Sequence, residues 1–343
     1  MIRKIYKKIY NAIPVYIKKD LYRYQNYTDN SLMNHYKLPY SAKIFGYIHS
    51  FLKHITIILN MFDRKLARAE TRYIERTLSK DEVVMRNKVF NNIHKGKRCF
   101  VIANGPSLKN QDLSFLKNEI TIATNTIWKH PEMKHWRPTY YCNSHIEPLN
   151  NREKNLGPGF ENPSIEDGLK YWKNVKTILH DSIYFIPYSG YTNNKKTGFL
   201  PEKQTYYIPS LPYPLFETIP EFPDLTHGIP GMQDSSQNAI MLAMAMGCSP
   251  IYLLGCDHDW YMNLGPEKHF FDGPAIGEGT KIESDSSKTD MLGNMWFAWV
   301  LWRGHVNLRD IAEKNGVEII NATGGGVLDV YKKARYEDIV SKK

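Results

Sequence analysis

Five polar clusters hold most of the side chains in this sequence that could do chemistry. Asn104-Gly105-Pro106-Ser107 ends the apolar run "RCFVIA", and Asn125 closes "ITIAT". Asn143-Ser144-His145 follows "YYC", Asp257-His258-Asp259 follows "IYLLGC", and Asn321-Ala322-Thr323-Gly324-Gly325-Gly326 closes the last apolar run, "VEII". A glycine directly after a strand lets the backbone approach a ligand, and N–H groups at a helix start favour an anion. Ser107 equally reads as the N-cap of a following helix. Neither GxGxxG nor GxxxxGK[ST] occurs, so an ordinary dinucleotide or P-loop site is not expected. Histidine is the natural proton acceptor near neutral pH; His258, flanked by Asp257 and Asp259, and His269 in the polar stretch "EKHFFDG" are candidates for a general base, with His145 and His227 ranking lower. Asp257 and Asp259 also form an Asp-x-Asp pair of the kind that holds Mg²⁺ or Mn²⁺.

These clusters become one site only if the strands before them are parallel. "RCFVIANG", "EITIATNTIW", "PTYYCNS", a segment within "TILHDSIYFIPYS", "SPIYLLGCD" and "VEIINAT" read as buried strands. "SLKNQDLSFLKN", "SIEDGLKYWKNV", "SSQNAIMLAMAMG" and "DMLGNMWFAWVLWRGHVNLRDIAEKNG" read as helices. Continuous apolar strands alternating with helices predict an α/β, Rossmann-like, mostly parallel sheet with helices on both faces. In such a fold ligands sit outside the carboxyl ends of the strands, where all five clusters fall. Residues 188–230, rich in Pro, Tyr and Gly, read as a surface excursion, and the polar, Gly-rich stretch 258–290 reads as a lid.

The net charge of +10 is unevenly spread: residues 1–98 carry 21 Lys and Arg against 7 Asp and Glu, the remainder 24 against 28. The segment "IRKIYKKIYNAIPVYIKKDLYRY" mixes Ile and Tyr with basic residues at helical spacing. "YSAKIFGYIHSFLKHITIILNMF" is broken by Lys43, His49, Lys53 and His54. Both lack the roughly 20 unbroken apolar residues of a membrane span. They fit interfacial helices on an anionic membrane, or amphipathic helices packed on the catalytic domain. Residues 1–95 are thus expected to form a basic helical segment and residues 96–343 the catalytic domain. No nucleic-acid-binding motif is visible. Four cysteines without ligand spacing read as reduced, buried thiols, and no signal peptide is apparent, which predicts a cytoplasmic protein peripheral to the inner membrane.

"FVIANGPSL", "ATNTIW", "YYCNS", "SSQNAIMLAMAMGCSPIYLLGCD" and "KHFFDG" together resemble the bacterial sialyltransferases of glycosyltransferase family 42. They resemble equally the broad group of pterin diphosphokinase-like domains that includes motility accessory factors, a group that "GVEIINATGGGVLDVYKKARYEDI" matches especially well. The resemblance covers roughly residues 97–340. It implies inverting, metal-independent transfer of an acidic, sialic-acid-like keto-sugar from a cytidine-monophosphate donor to a glycan or glycolipid. It places Asn104, Gly105, Pro106, Ser107, Asn125, Asn143, Ser235 and Ser236 at the donor, with Asp257, Tyr261, Thr323 and Gly324 beside it, and His269 as the base. No cofactor is implied, and a homo-oligomer is compatible. Met232 stands where the family has an arginine, which removes one cationic partner for the donor. The alternatives are a Mg²⁺-dependent diphosphokinase of the pterin type and a non-catalytic membrane-binding scaffold.

Overall fold

The computed structural model describes residues 66, 69–70, 72–74, 76–144, 165–216, 221–232, 234–262, 269–271 and 291–341. The chain divides into two compact units, residues 1–68 and 69–343. All described residues but Leu66 belong to the second, so the N-terminal amphipathic segments lie outside the described residues.

The strands are β1 (Cys99–Ile102), β2 (Ile120–Thr124), β3 (Tyr140–Cys142), β4 (Ile183–Pro187), β5 (Thr205–Ile208), β6 (Ser210–Pro214), β7 (Ile229–Gly231), β8 (Ile251–Leu254), β9 (Ile319–Asn321) and β10 (Lys332–Lys333). Eight of them form one sheet in the order β10-β9-β8-β1-β2-β3-β4-β5, and β6 pairs with β7. Every pairing in the large sheet is parallel, and one row of register runs Ile183, Tyr140, Ile122, Val101, Leu253, Asn321. Parallel strands bury both faces, which is why β1 reads Cys-Phe-Val-Ile with no polar position.

Successive side chains feed opposite layers. Val101, Ile122, Tyr140 and Leu253 face one core, and Phe100, Ile102, Ala123 and Tyr141 face the other. The main helices are α1 (Glu82–Met85), α2 (Ile165–Ile178), α3 (Tyr191–Thr197), α4 (Ser235–Ala245), α5 (Met291–Lys314) and α6 (Tyr336–Val340). Helix α4 crosses β1, β2 and β3 and also touches α5. Covered on both sides, it is apolar nearly all round from Ala239 to Ala245. Trp172 and Val175 of α2 pack in the opposite layer.

Two expectations need correction. The stretch "SLKNQDLSFLKN" is not one helix but two 3₁₀ turns, Pro106–Asn110 and Leu113–Leu116. Gln111 between them is buried, its amide donating to the Ala322 carbonyl, and Asp112 caps the second turn through the Ser114 N–H. Residues 188–230 are not a surface excursion, since they supply β5, β6 and β7, and Tyr207, Ile208, Leu211, Leu225 and Ile229 are buried.

The core also reaches back before residue 96. Phe90 packs edge-on against Phe185 and Tyr206, and the buried Asn87 amide donates to the carbonyls of Tyr207 and Leu225. All four cysteines are free and buried. Among the described residues no helix is long and apolar enough to cross a membrane.

Candidate functional site

The chain enters the sheet at β1, runs outward through β2 to β5, then returns to β8 on β1's other side. The switch point is therefore the crevice between the carboxyl ends of β1 and β8, where ligands bind in open α/β sheets. Here the Asn104–Ser107 turn meets Asp257. The Ser107 N–H donates to Asp257 Oδ1 at 3.2 Å and its hydroxyl to Oδ2 at 2.8 Å. Gly105 N–H donates to the Gly255 carbonyl at 2.8 Å. A Cβ on Gly105 would lie 1.9 Å from Asp257 Oδ2, so the turn needs glycine for close approach and not for φ, which is −62°. Pro106 opens the 3₁₀ turn without an N–H of its own. From β9, Thr323 accepts the Cys256 N–H at 3.1 Å, and the Val327 N–H donates to the Asp257 carbonyl. Gly324 lies beside Gln111 without a steric demand. Burial pushes the Asp257 carboxyl above its ordinary value, against the two Ser107 donors, with Asp259 adding in the same direction.

A connected polar rim runs on from this turn. The Asn104 amide donates to the Thr124 carbonyl, and its oxygen accepts from the Thr126 hydroxyl. Asn125 leaves β2 with a left-handed φ of 46°, and its side-chain oxygen accepts from the Ser235 hydroxyl at 2.7 Å. The same hydroxyl receives the Ser144 N–H at 3.3 Å, and Asn238 donates to the Ser144 hydroxyl. Asn143 donates to the Tyr171 hydroxyl at 3.0 Å. It also borders, with Pro187, Ser210 and Asn238, a small, partly open cleft over the ends of β3, β4 and β5. Ser236 turns the other way and donates to Asp234, the N-cap of α4.

The two candidate bases stand apart in character. His269 stacks on Phe271 with ring centroids 5.0 Å apart, and the Phe270 N–H donates to the Asn104 carbonyl, which docks residues 269–271 on the rim. The rest of the expected lid, 263–268 and 272–290, lies outside the described residues, as does His145. His258, at a left-handed φ of 51°, lies 3.5 Å from Asp234 Oδ2 and 3.2 Å from the Nε2 of His305. The carboxylate against its ring therefore comes from the head of α4 and not from its sequence neighbours. Tyr261 packs edge-on against Trp302, which also faces His258.

His305 was not visible as a site residue in the sequence. It sits in the middle of α5, 47 residues from His258, with no motif around it. It is fully buried, and burial, with His258 adding, pushes its imidazole down to about 3. Burial opposes ionisation of Asp234, yet the two histidines and the Gln237 and Ser236 donors leave its carboxyl below the ordinary value.

Fold and rim together define a doubly wound α/β protein whose candidate ligand site lies along the carboxyl ends of β1, β2, β3, β8 and β9. The chain belongs to the MptE-like family, described as 6-hydroxymethylpterin diphosphokinase MptE-like, whose sequence model matches residues 77–263. No curated protein matches the sequence significantly. Among solved structures it is similar to the MAf glycosyltransferase from Magnetospirillum magneticum AMB-1, with 14% identity and a TM-score of 0.38. That match covers 74% of this chain but only 38% of that one, and it does not extend that protein's activity to this chain.

Proposed function

We propose that this chain is a glycosyltransferase that moves an acidic keto-sugar from a cytidine-monophosphate donor onto a glycan or glycolipid. The observation that carries the reading is the continuous rim from Phe270 through Asn104, Thr126, Asn125 and Ser235 to Ser144 and Asn238. It offers neutral hydrogen-bonding groups in one connected row, with the His269 imidazole beside one end. Asn104, Asn125, Asn143 and Ser235 hold the donor. His269 removes the acceptor hydroxyl's proton as that oxygen bonds to the anomeric carbon, and the sugar–phosphate bond breaks with its electrons leaving on cytidine monophosphate. One displacement inverts the anomeric centre. His269 suits the role better than His258, whose Nε2 is already turned toward Asp234 and His305. The basic N-terminal segment keeps the protein on the inner membrane face, near lipid-linked acceptors.

The reaction in the family's own description, diphosphate transfer from a nucleoside triphosphate, is the second reading. It is favoured by Lys129, at the end of the turn that begins with Asn125, with its Nζ 4.1 Å from the Phe271 ring centre. It needs Mg²⁺ and basic groups at the phosphates. A thermal-shift screen of cytidine, uridine, guanosine and adenosine nucleotides, each with and without Mg²⁺, separates the two. Stabilisation by cytidine monophosphate is expected, and stabilisation by ATP with Mg²⁺ alone would replace this proposal with the kinase.

A further inference from the structure

Asp234, His258 and His305 come from three distant parts of the chain, yet each presents a ligand atom within 4.8 Å of the others'. We infer that they bind a divalent transition-metal ion of the Zn²⁺ class, a site separate from the Asp257–Asp259 pair. The two donor separations measured from His258 Nε2 match what such an ion needs, and the third, His305 to Asp234, is within 4.8 Å. Tetrahedral coordination with bonds of about 2.0–2.1 Å puts neighbouring donors about 3.3–3.4 Å apart. The His258 Nε2–His305 Nε2 separation is 3.2 Å and His258 Nε2–Asp234 Oδ2 is 3.5 Å.

The surrounding groups turn the donors toward one another. The Tyr331 hydroxyl lies 3.0 Å from His305 Nδ1 and 3.2 Å from the His305 carbonyl, to which it can only donate; with its single hydrogen given there, it accepts from Nδ1–H, the tautomer a metal would select. The His305 Nε2 lone pair then faces His258. An imidazole fixed through its other nitrogen is the usual arrangement around a metal-binding histidine. The Ser236 hydroxyl spans both Asp234 oxygens, 2.8 Å from Oδ1 and 3.1 Å from Oδ2. Oδ1 caps α4 by accepting the Gln237 N–H at 2.9 Å, and Oδ2 faces His258. His258 reaches the cluster through a left-handed backbone, φ 51°, which histidine adopts more readily than most side chains.

Two imidazoles and one carboxylate select a borderline ion such as Zn²⁺ over Mg²⁺ or Ca²⁺, which prefer all-oxygen shells. Three protein donors leave a fourth position for water or an anionic oxygen of a ligand. This departs from the metal-free expectation, which weighed only the Asp257–Asp259 pair.

The test is titration of chelator-treated, full-length protein with Co²⁺ alone, followed by visible absorption and calorimetry, then displacement by Zn²⁺. One equivalent with a tetrahedral-type band is expected. Asp234→Asn, which keeps a helix-capping side chain, and His258→Ala should each weaken binding at least about 10-fold, and Tyr331→Phe by about 10–100-fold. Melting curves confirm that each variant is folded. No Co²⁺ uptake by the wild type, or unchanged affinity and spectrum in the Asp234→Asn/His258→Ala double variant, would overturn the site. The readout is metal uptake, so the result is independent of which nucleotide the rim binds.

Discussion

Single residues decide how tightly the switch point is built. Gly105 has room for hydrogen only, because a Cβ would lie 1.9 Å from Asp257 Oδ2 and 2.5 Å from the Gly255 carbonyl oxygen. Gly105→Ala should therefore destabilise the protein by about 1–3 kcal/mol, as overpacking does, read as a lower urea midpoint. An unchanged midpoint would show that the turn shifts freely. Ser107→Ala removes the 2.8 Å donor to a buried carboxylate, and an expected loss of about 1–3 kcal/mol follows from leaving that group under-satisfied. For His269→Ala, transfer should fall by roughly 10²–10⁴-fold with donor binding little changed. Equal loss of donor affinity would make His269 a binding residue instead. At this scale the sequence was legible where polar residues follow strands directly, as at Asn104, Asn125 and Asp257. His305 and Tyr331 were hidden because nothing local separates a buried helical histidine or tyrosine from ordinary core. Their meaning comes only from the partners folding supplies.

At the scale of elements, the same physics explains what could be read and what could not. Continuous apolar strands and the glycine-stopped α4 follow from burial on both sides, a pattern written into consecutive residues. Strand β5 was missed because Pro209, Pro212 and Pro214 crowd "TYYIPSLPYP", and proline argues against a central strand. It lies at the sheet edge, where that composition is tolerated. The 3₁₀ turns after β1 were missed because Gln111 is held by the Ala322 carbonyl, a contact 211 residues away that propensity does not register. Helix α4 is the element that ties core to rim, since Ser235 is at its head while Ile240 and Met244 are fully buried. Ile240→Ala should cost about 2–5 kcal/mol, measured by denaturant unfolding. A loss of less than about 1 kcal/mol would mean that the neighbouring layer collapses into the gap.

The whole molecule is divided by charge as well as by compactness. Residues 1–68 carry 13 Lys and Arg against 3 Asp and Glu, and residues 69–343 carry 32 of each. The entire net charge thus belongs to the first unit, which is the part expected to meet an anionic surface at about 1 kcal/mol per basic residue near the lipid. Deleting residues 1–68 should abolish sedimentation with phosphatidylglycerol vesicles while leaving the melting transition and nucleotide binding of the remainder in place. Deleting residues 1–95 should instead unfold the protein, because that cut removes Phe90 from its aromatic cluster and Asn87 from the carbonyls of Tyr207 and Leu225. It also removes the backbone bonds from Asn92 and His94 to Ala245 and Met246 at the end of α4. The two truncations separate a membrane role from a folding role. If the protein lacking residues 1–68 still sediments with vesicles, and does so equally in high salt, the basic segment is not the membrane contact. Apolar contacts from the second unit would then account for binding, because an electrostatic attachment weakens as the Debye length shortens.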